Sequence, residues 1–215
     1  MKKEKFSFDT IENFDDHIDI SIPNYIGLTE HIVNISTHFI KDDCIFYDFG
    51  CSTGRLIETL KKKHATNTEY IGVDKSENMA KEKDYIIKAD LSDFKPETHC
   101  FSTFIFTLQF ISVESRFDLL KRTYDSLMKG GACIIAEKTF IDNGFLQDLF
   151  SFSYYDFKLN KFSEKEIFSK QLDLRYIMRP LSWDENLVMF KKCGFKIIEC
   201  FWQSLQFKAW ILIKN

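Results

Sequence analysis

A short glycine-containing loop after the first strongly apolar run holds the most informative residues of the chain. Asp48 lies near the end of that run, Gly50 stops it, and Gly54 follows after three small residues, just before an amphipathic stretch that begins at Arg55. Glycines at a turn from strand to helix let the backbone approach a ligand closely, and free amides at a helix start favour an anionic group. The loop therefore predicts a ligand site, although a structural turn alone also explains two glycines.

Two acidic residues follow later apolar runs in the same way. Asp74 ends the second run, and Asp90, followed by the apolar Leu91, comes after the third. An acid at the end of a second strand is able to accept both hydroxyls of a ribose, and an acid beside an apolar side chain suits the amino group and ring face of adenine. Each acid alone is explained by a turn or a helix cap. Together with the glycine loop they predict a nucleotide-containing ligand.

Strands and amphipathic helices alternate around these residues. The apolar runs predict strands at Cys44–Phe49, Glu69–Asp74, Tyr85–Ala89, Phe101–Leu108 and Ala132–Glu137. Helical spacing predicts helices over Arg55–Lys63 and Glu114–Met128, and a further helix after Ser76 with Glu77 in its first turn. The segment Lys129–Gly131 is predicted to close the helix that ends at Met128, because glycine tolerates the left-handed cap conformation.

The last part of the chain returns to strands after a helical stretch. A helix over Asp184–Lys192 stops at Gly194, and the strands Phe195–Trp202 and Phe207–Ile213 are joined so closely that they must be antiparallel. The sequence therefore predicts an α/β fold: a doubly wound, mostly parallel seven-stranded sheet that ends in an antiparallel hairpin. We expect one domain over residues 1–215, with an N-terminal helical arm at 1–40 and a helical lid inserted at 141–180 over the substrate side of the sheet.

This pattern is typical of Rossmann-like class I methyltransferases, whose cofactor is S-adenosylmethionine. The phosphate-binding motif G-x-x-x-x-G-K-[ST] is absent from the sequence, and the loop has two glycines where dinucleotide folds have three. ATP hydrolysis and dinucleotide binding are therefore disfavoured. The choice of S-adenosylmethionine is an inference from the fold, with its methionine carboxylate placed at the start of the first helix of the alternating pattern.

Composition argues against nucleic-acid and membrane partners. The 29 basic and 32 acidic residues give a net charge of -3, so no positive excess attracts phosphate backbones. Residues 1–8 lead into no signal-peptide core, no apolar run is long enough to span a membrane, and the six cysteines lack the close pairs of a zinc or redox motif. We expect a cytoplasmic protein with reduced, mostly buried thiols and no direct nucleic-acid binding.

Histidine and tryptophan residues have ordinary explanations. No metal site is predicted, because metal-ligand spacing and neighbouring nucleophile motifs are missing at His17, His31, His38, His64 and His99. Trp202 and Trp210 fall on the predicted terminal strands, so core packing is a better interpretation for them than stacking on a base.

Beyond the fold, the chain resembles the bacterial carboxy-S-adenosylmethionine synthases over most of its length. Tyr47–Ser52 is similar to that family's Asp-x-Gly-Cys-Ser loop, and Ser21–Tyr25 to the Val-Pro-x-Tyr element that ends its arm. Phe106–Phe110 and the lid segment Tyr155–Lys158 also fit the family. Motifs and resemblance together imply a cofactor site made of Tyr25, Asp48, Gly50, Cys51, Ser52, Thr53, Gly54, Asp74, Lys75, Asp90, Leu91, Ile105 and Phe106.

Two positions depart from the family pattern. Ile105 stands where the family has Asn, and Met189 falls, by our register, where the family has an arginine that pairs with the extra carboxylate of its cofactor. Methionine is unable to hold a carboxylate. Lys191, Arg179 or Arg175 would have to replace the missing guanidinium.

The resemblance implies an unusual use of the cofactor. In the family, the activated methyl carbon loses a proton and captures the carboxyl group of prephenate, which leaves as phenylpyruvate. The product serves the modification of wobble uridine in tRNA. An anionic substrate needs cations, and the candidates, each otherwise a solvated surface charge, are Arg55, Lys138, Arg175, Arg179 and Lys191.

Two other functions fit the same residues. An ordinary methyltransferase acting on a small molecule or tRNA needs little beyond an aligned acceptor, because the sulfonium is reactive. A non-catalytic domain would bind the cofactor or a partner without chemistry. We also expect a homodimer, because the implied family is dimeric and the aromatic-rich segment Phe145–Phe162 would be hard for a monomer to bury.

Overall fold

One sheet of seven strands runs through the computed structural model, which describes residues 13–64, 66–76 and 83–215. The strands of these residues are β1 (Ile45–Phe49), β2 (Glu69–Asp74), β3 (Ile86–Lys88), β4 (His99–Ile105), β5 (Leu127–Lys138), β6 (Ile197–Ser204) and β7 (Phe207–Ile213). Their order is β3-β2-β1-β4-β5-β7-β6; β1 to β5 are mutually parallel, and β7 runs antiparallel to β5 and β6. The predicted fold class is confirmed, including the C-terminal hairpin.

Helices connect the strands and extend from both ends of the alternating pattern. Those described are α1 (Phe14–Ser21), α2 (Tyr25–Ser36), α3 (Arg55–Lys63), α4 (Val113–Ser126), α5 (Gly144–Leu159), α6 (Glu164–Leu174) and α7 (Trp183–Cys193). Ser163 and Ser182 begin α6 and α7 in capping boxes, and Gly194 ends α7 at φ 118°. None of these helices is long and apolar enough to cross a membrane.

Two apolar layers enclose the sheet, one on each face. Leu28 of α2 and Leu60 of α3 pack with Phe101 on one face, and on the other face α4 and α7 cover residues such as Phe104. Trp202 and Trp210 are buried, one in each layer, as predicted. Each large apolar side chain buried in this way contributes roughly 1.5–3 kcal/mol. The layers leave the carboxyl ends of β1, β2, β4 and β5 to form a site.

The predicted closure of α4 by Lys129–Gly131 is wrong. The helix ends at Ser126, and β5 begins at once with Leu127. The register between β4 and β5 then shifts, so Leu127 pairs with His99 and Ala132 with Phe101. The end of β7 supplies the partner for the displaced backbone, since Gly130 N donates to Lys214 O at 2.7 Å and Lys214 N to Gly131 O at 3.0 Å. A tertiary contact therefore replaces the predicted glycine cap.

The expectation of reduced cysteines is wrong for one pair. Cys44 and Cys100 form a disulfide, because they lie at the starts of β1 and β4, two neighbouring parallel strands. Cys51, Cys133 and Cys193 are free and buried, as predicted. The helix predicted after Ser76, with Glu77 in its first turn, lies outside the described residues, as do residues 1–8.

Candidate active site

The loop between β1 and α3 forms one side of the site, and its backbone explains its glycines. Gly50 and Gly54 have φ values of 75° and 76°, and Ser52 between them has 50°. A Cβ atom added to Gly50 would lie 2.4 Å from Thr107 Cγ2. This loop therefore both requires left-handed backbone and lies against the loop after β4, where only glycine fits.

Asp74, at the end of β2, holds the other side of this loop. Its two carboxylate oxygens accept hydrogen bonds from Ser52 N and Ser76 N, each at 2.9 Å. Each oxygen keeps a further lone pair, so the carboxylate remains able to accept hydroxyl donors. Lys75, the next residue, is exposed.

Asp48 is a buried acid beneath the loop. It is 4% exposed, and Thr103 Oγ1 donates to its Oδ1 at 2.7 Å. Burial raises the pKa of Asp48 to about 7, and the charge of Asp74 adds to this effect. Cys51 is buried beside them, and burial raises the pKa of its thiol. Two acids close together, without a cationic partner in the part of the chain that the structure describes, fit a ligand that brings positive charge.

The loops after β3 and β4 complete this part of the site. Asp90 is exposed and accepts a hydrogen bond from Ser92 N at 2.9 Å, which lowers the pKa of Asp90. Leu91 beside it is buried. Ile105 is half-buried at the end of β4, and the following Phe106 is buried with a φ of 56°. We call the residues Asp48–Gly54, Asp74, Asp90 and Leu91 the floor.

The arm helix α1 is bound directly to the floor. Asp15 Oδ1 accepts from Thr53 Oγ1 at 2.7 Å, and Asp19 accepts from Arg55 at 3.0 and 2.8 Å. The Arg55 guanidinium also lies over the ring of Tyr25, 5.3 Å from its centroid. Arg55 is thus already paired with a carboxylate. Sequence reasoning missed Asp19, whose spacing carries no motif.

A second region, a largely buried cluster of aromatic rings and lysines that we call the chamber, lies beyond the floor between β5, β7, α1 and α5. Its members are the aromatic residues Phe106, Tyr154, Phe162 and Phe207 together with Lys138 and Lys158. The ring of Phe207 lies 5.8 Å from that of Phe106 and 5.3 Å from that of Tyr154. Tyr154 OH donates to Ser21 O at 2.9 Å and so joins α5 to the arm. The rings of Tyr25 and Phe106, 6.2 Å apart, connect chamber and floor.

Two lysine ammonium groups are placed around one ring of the chamber. Lys138 Nζ lies 5.1 Å and Lys158 Nζ 5.5 Å from the centroid of Tyr154. Burial, and then the charge of Lys158, lower the pKa of Lys138 to about 8. Burial also lowers the pKa of Lys158, which is 5% exposed. Burial, and then the charges of Lys170 and Lys158, lower the pKa of His17. Burial, and then the charge of Lys158, lower the pKa of Lys170 to about 8.

A buried brace of hydrogen bonds holds the loop after β4 in place. Glu137, 3% exposed, accepts hydrogen bonds from Leu108 N at 2.9 Å and Gln109 N at 2.7 Å. Arg116, 2% exposed, donates to Gln109 O at 3.2 Å and to Arg179 O at 2.7 Å. The brace therefore ties the loop that carries Phe106 to the chain leaving the lid. Burial raises the pKa of Glu137 to about 8 against the opposing charge of Arg116.

Among the predicted cations, the structure brings Arg55 and Lys138 to the site and leaves the others at its edge or away from it. Arg175 is exposed and donates to Tyr176 OH. The side chain of Arg179 is exposed, although its backbone N donates to Gln109 O at 2.9 Å. Lys191 is exposed on the last turn of α7, which leads into the start of β6 and hence to the opposite edge of the sheet.

Met189 occupies a core position. It is 9% exposed and packs in the apolar layer between α7 and the sheet. Its neighbours are apolar, so this chain has no carboxylate-binding group at the position where the family's arginine was placed. The register itself stays a prediction.

Comparisons with known proteins agree with this geometry. A family model described as a methyltransferase domain matches residues 46–131. A carboxy-S-adenosyl-L-methionine synthase of Staphylococcus epidermidis is 32% identical over 95% of this chain and 94% of its own. One of Nautilia profundicola is 33% identical over 99% of this chain and 95% of its own.

Solved structures with low sequence identity share the fold. A SAM-dependent methyltransferase of Archaeoglobus fulgidus superposes with a TM-score of 0.65 at 14% identity, covering 94% of this chain and 100% of that one. A possible histamine N-methyltransferase of Thermotoga maritima gives 0.61 at 18% identity, covering 94% of each chain. Both are S-adenosylmethionine-dependent by their descriptions, and at these identities they support the fold alone.

Proposed function

This chain belongs to the carboxy-S-adenosyl-L-methionine synthase family, and from that premise we propose that it makes carboxy-S-adenosylmethionine from S-adenosylmethionine and prephenate. It is an S-adenosylmethionine-dependent transferase. In the proposed reaction prephenate loses its ring carboxylate and its hydroxide and becomes phenylpyruvate. The carboxyl carbon forms a bond to the cofactor's methyl carbon, and the proton lost there combines with the hydroxide as water.

One observation carries this proposal ahead of ordinary methyl transfer. The general methyltransferase-domain model matches only residues 46–131, whereas the similarity to the named synthases covers nearly the whole chain. The additional similarity includes α1, α5 and α6, which cover the carboxyl edge of the sheet beside the cofactor loop. We infer that these helices select the substrate.

We assign the cofactor to the floor, whose chemistry fits it. The cofactor supplies an electrophilic sulfonium and an activated methyl group when bound. Asp74 accepts the ribose hydroxyls, and the loop from Gly50 to Gly54 approaches the methionine part with its amides. Asp48 provides negative charge beneath a ligand that carries a sulfonium and an ammonium. Leu91 packs on the adenine while Asp90 accepts from its amino group.

Incubation of the purified protein with S-adenosylmethionine, with and without prephenate, tests the proposal. The expected result is a carboxylated nucleoside and phenylpyruvate, both dependent on prephenate and detected by mass spectrometry. S-adenosylhomocysteine that forms only with an added acceptor would establish a methyltransferase instead. Calorimetric titration showing no binding of S-adenosylmethionine or S-adenosylhomocysteine would contradict every enzymatic interpretation.

We further propose that the protein works as a homodimer in the cytoplasm, where its product serves tRNA modification without direct contact between this chain and RNA. Phe145, Phe152 and Phe168 on α5 and α6 are 75%, 65% and 66% exposed, and a second copy of the chain would bury such side chains. Sedimentation at micromolar concentration is expected to show a dimer. A single species near 25.4 kDa would contradict this.

A further inference from the structure

The two lysines of the chamber have no acidic partner among the described residues. Neither Lys138 nor Lys158 takes part in an ion pair there, and their ammonium groups lie over the rings of Tyr154, Phe162 and Phe207. Arg55 beside the floor, by contrast, donates two hydrogen bonds to the carboxylate of Asp19. The chamber thus holds two cations whose charge the described protein does not neutralise.

Such an arrangement is costly in the free protein. Moving an ammonium group from water to an apolar site is unfavourable unless an anion accompanies it. Cation–π contacts with Tyr154 and Phe162 offset part of this cost. Two like charges around one ring add mutual repulsion, and Lys158 accordingly lowers the pKa of Lys138. Titratable groups whose pKa values are shifted by burial and by neighbouring charges cluster at functional sites.

We propose that Lys138 and Lys158 form the subsite that binds the two carboxylates of a dianionic substrate, with the aromatic rings of the chamber around its carbon skeleton. This inference rests on the proposed function, for which prephenate is the dianion. Lys138 stands at the end of β5, next to the loop of Phe106, and Lys158 lies on α5. Both ammonium groups lie over the ring of Tyr154. A small ring carrying two carboxylates offers one anion to each cation.

The subsite draws on three separate parts of the chain. Lys138 belongs to the sheet, Lys158 and Tyr154 to the lid, and Tyr154 is hydrogen-bonded to Ser21 at the end of α1. An anion that bridges Lys138 and Lys158 would therefore be held by the sheet and the lid together.

Binding to a complex that cannot turn over tests the subsite. S-adenosylhomocysteine lacks the methyl group, so in its presence prephenate binds without reacting. Calorimetry should then show that Lys138→Met and Lys158→Met each weaken prephenate binding about ten-fold or more, the cost of one charged hydrogen-bond partner. Lys138→Arg and Lys158→Arg retain a cation and are expected to bind more tightly than their Met counterparts. Lys161→Met, an exposed lysine on the same lid, is the control and should bind as wild type.

The ratio of affinities for prephenate and phenylpyruvate sharpens this test. Prephenate is a dianion and phenylpyruvate a monoanion, so wild type should prefer prephenate, and each Met variant should lose most of that preference. Unchanged prephenate affinity in both folded Met variants would overturn the subsite. So would weaker S-adenosylhomocysteine binding with prephenate affinity intact, because the lysines would then serve the cofactor. Since no turnover is measured, absence of a carboxylated product in wild type would contradict the proposed function and not the subsite.

Discussion

At the floor, the acids Asp48, Asp74 and Asp90 each accept a hydrogen bond from a hydroxyl or a backbone amide. In the chamber, Lys138 and Lys158 face aromatic rings and find no carboxylate among the described residues. The floor is acidic and internally bonded, which suits a cationic cofactor. The chamber is basic and unneutralised, which suits an anionic substrate. On the proposed function, the two regions would divide the recognition of two oppositely charged ligands between them.

The largest expected effect is at Gly50. Its φ is 75°, and a Cβ atom there would lie 2.4 Å from Thr107 Cγ2. Valine adds β-branching to that strain, so Gly50→Val is expected to abolish S-adenosylhomocysteine binding in calorimetry. Gly144→Ala is the control, because a Cβ atom at Gly144 meets nothing within 4 Å. Retained binding in Gly50→Val would show that the loop is only a structural turn.

The next largest effect is expected for Asp74→Ala, which removes a hydrogen-bond acceptor from the floor. Loss of a charged acceptor costs about 1.5–3 kcal/mol, so S-adenosylhomocysteine should bind roughly ten- to hundred-fold more weakly by calorimetry. Asp118→Ala, an exposed acid on α4, should bind as wild type. Unchanged affinity in a folded Asp74→Ala protein would mean that the cofactor lies elsewhere.

Removal of the Lys138 charge from the chamber is expected to stabilise the folded protein. The pKa of Lys138 is about 8 in the folded protein, below the value of about 10.4 expected when unfolded. The unfolded chain therefore binds the proton more tightly, so the stability associated with Lys138 is present above about pH 10.4 and is lost as the pH falls through 8. Lys138→Met removes this loss.

Calorimetric melting without ligands measures that gain. At pH 7 the Tm of Lys138→Met should exceed that of wild type by on the order of 2–4 °C, and the difference should shrink as the pH rises toward 10.5. Lys161→Met, exposed on the lid, should melt as wild type at both pH values. A variant that is no more stable at pH 7, or a difference that does not depend on pH, would show that Lys138 carries no cost of burial.

The smallest effect is expected where the arm meets the floor. Asp19 pairs with Arg55, and both side chains are partly exposed, so this pair contributes about 0.2–1 kcal/mol. Asp19→Ala should lower stability to denaturant by no more than that amount and weaken S-adenosylhomocysteine binding only a few-fold. Asp16→Ala on the same helix is the control. A loss of binding as large as that of Asp74→Ala would mean that the arm, and not the floor, dominates cofactor recognition.

The floor was accessible to sequence reasoning because its information is local. Glycines at a turn, an acid at a strand end and the bounds of α3 depend on neighbouring residues, and the structure brings the residues from Asp48 to Gly54 together with Asp74 and Asp90. The strand Glu69–Asp74 and the helix Arg55–Lys63 have the predicted bounds.

The chamber was only partly accessible because it is assembled from distant segments. Lys138 was among the predicted cations, but Lys158 has the sequence context of an ordinary surface lysine, and only the packing of α5 on β7 and α1 buries it. The disulfide was missed for a similar reason, since Cys44 and Cys100 meet only through the register of β1 and β4. The strand β5 begins early because the end of β7 pairs with Gly130 and Gly131.

Transfer of a labelled carboxyl group tests the central claim most directly. Prephenate carrying carbon-13 in its ring carboxylate is incubated with S-adenosylmethionine and the protein, and the products are separated and weighed by mass spectrometry. The account predicts that the label appears in the carboxylated cofactor and is absent from phenylpyruvate. An unchanged cofactor, with the label recovered only in prephenate or dissolved carbon dioxide, would contradict it.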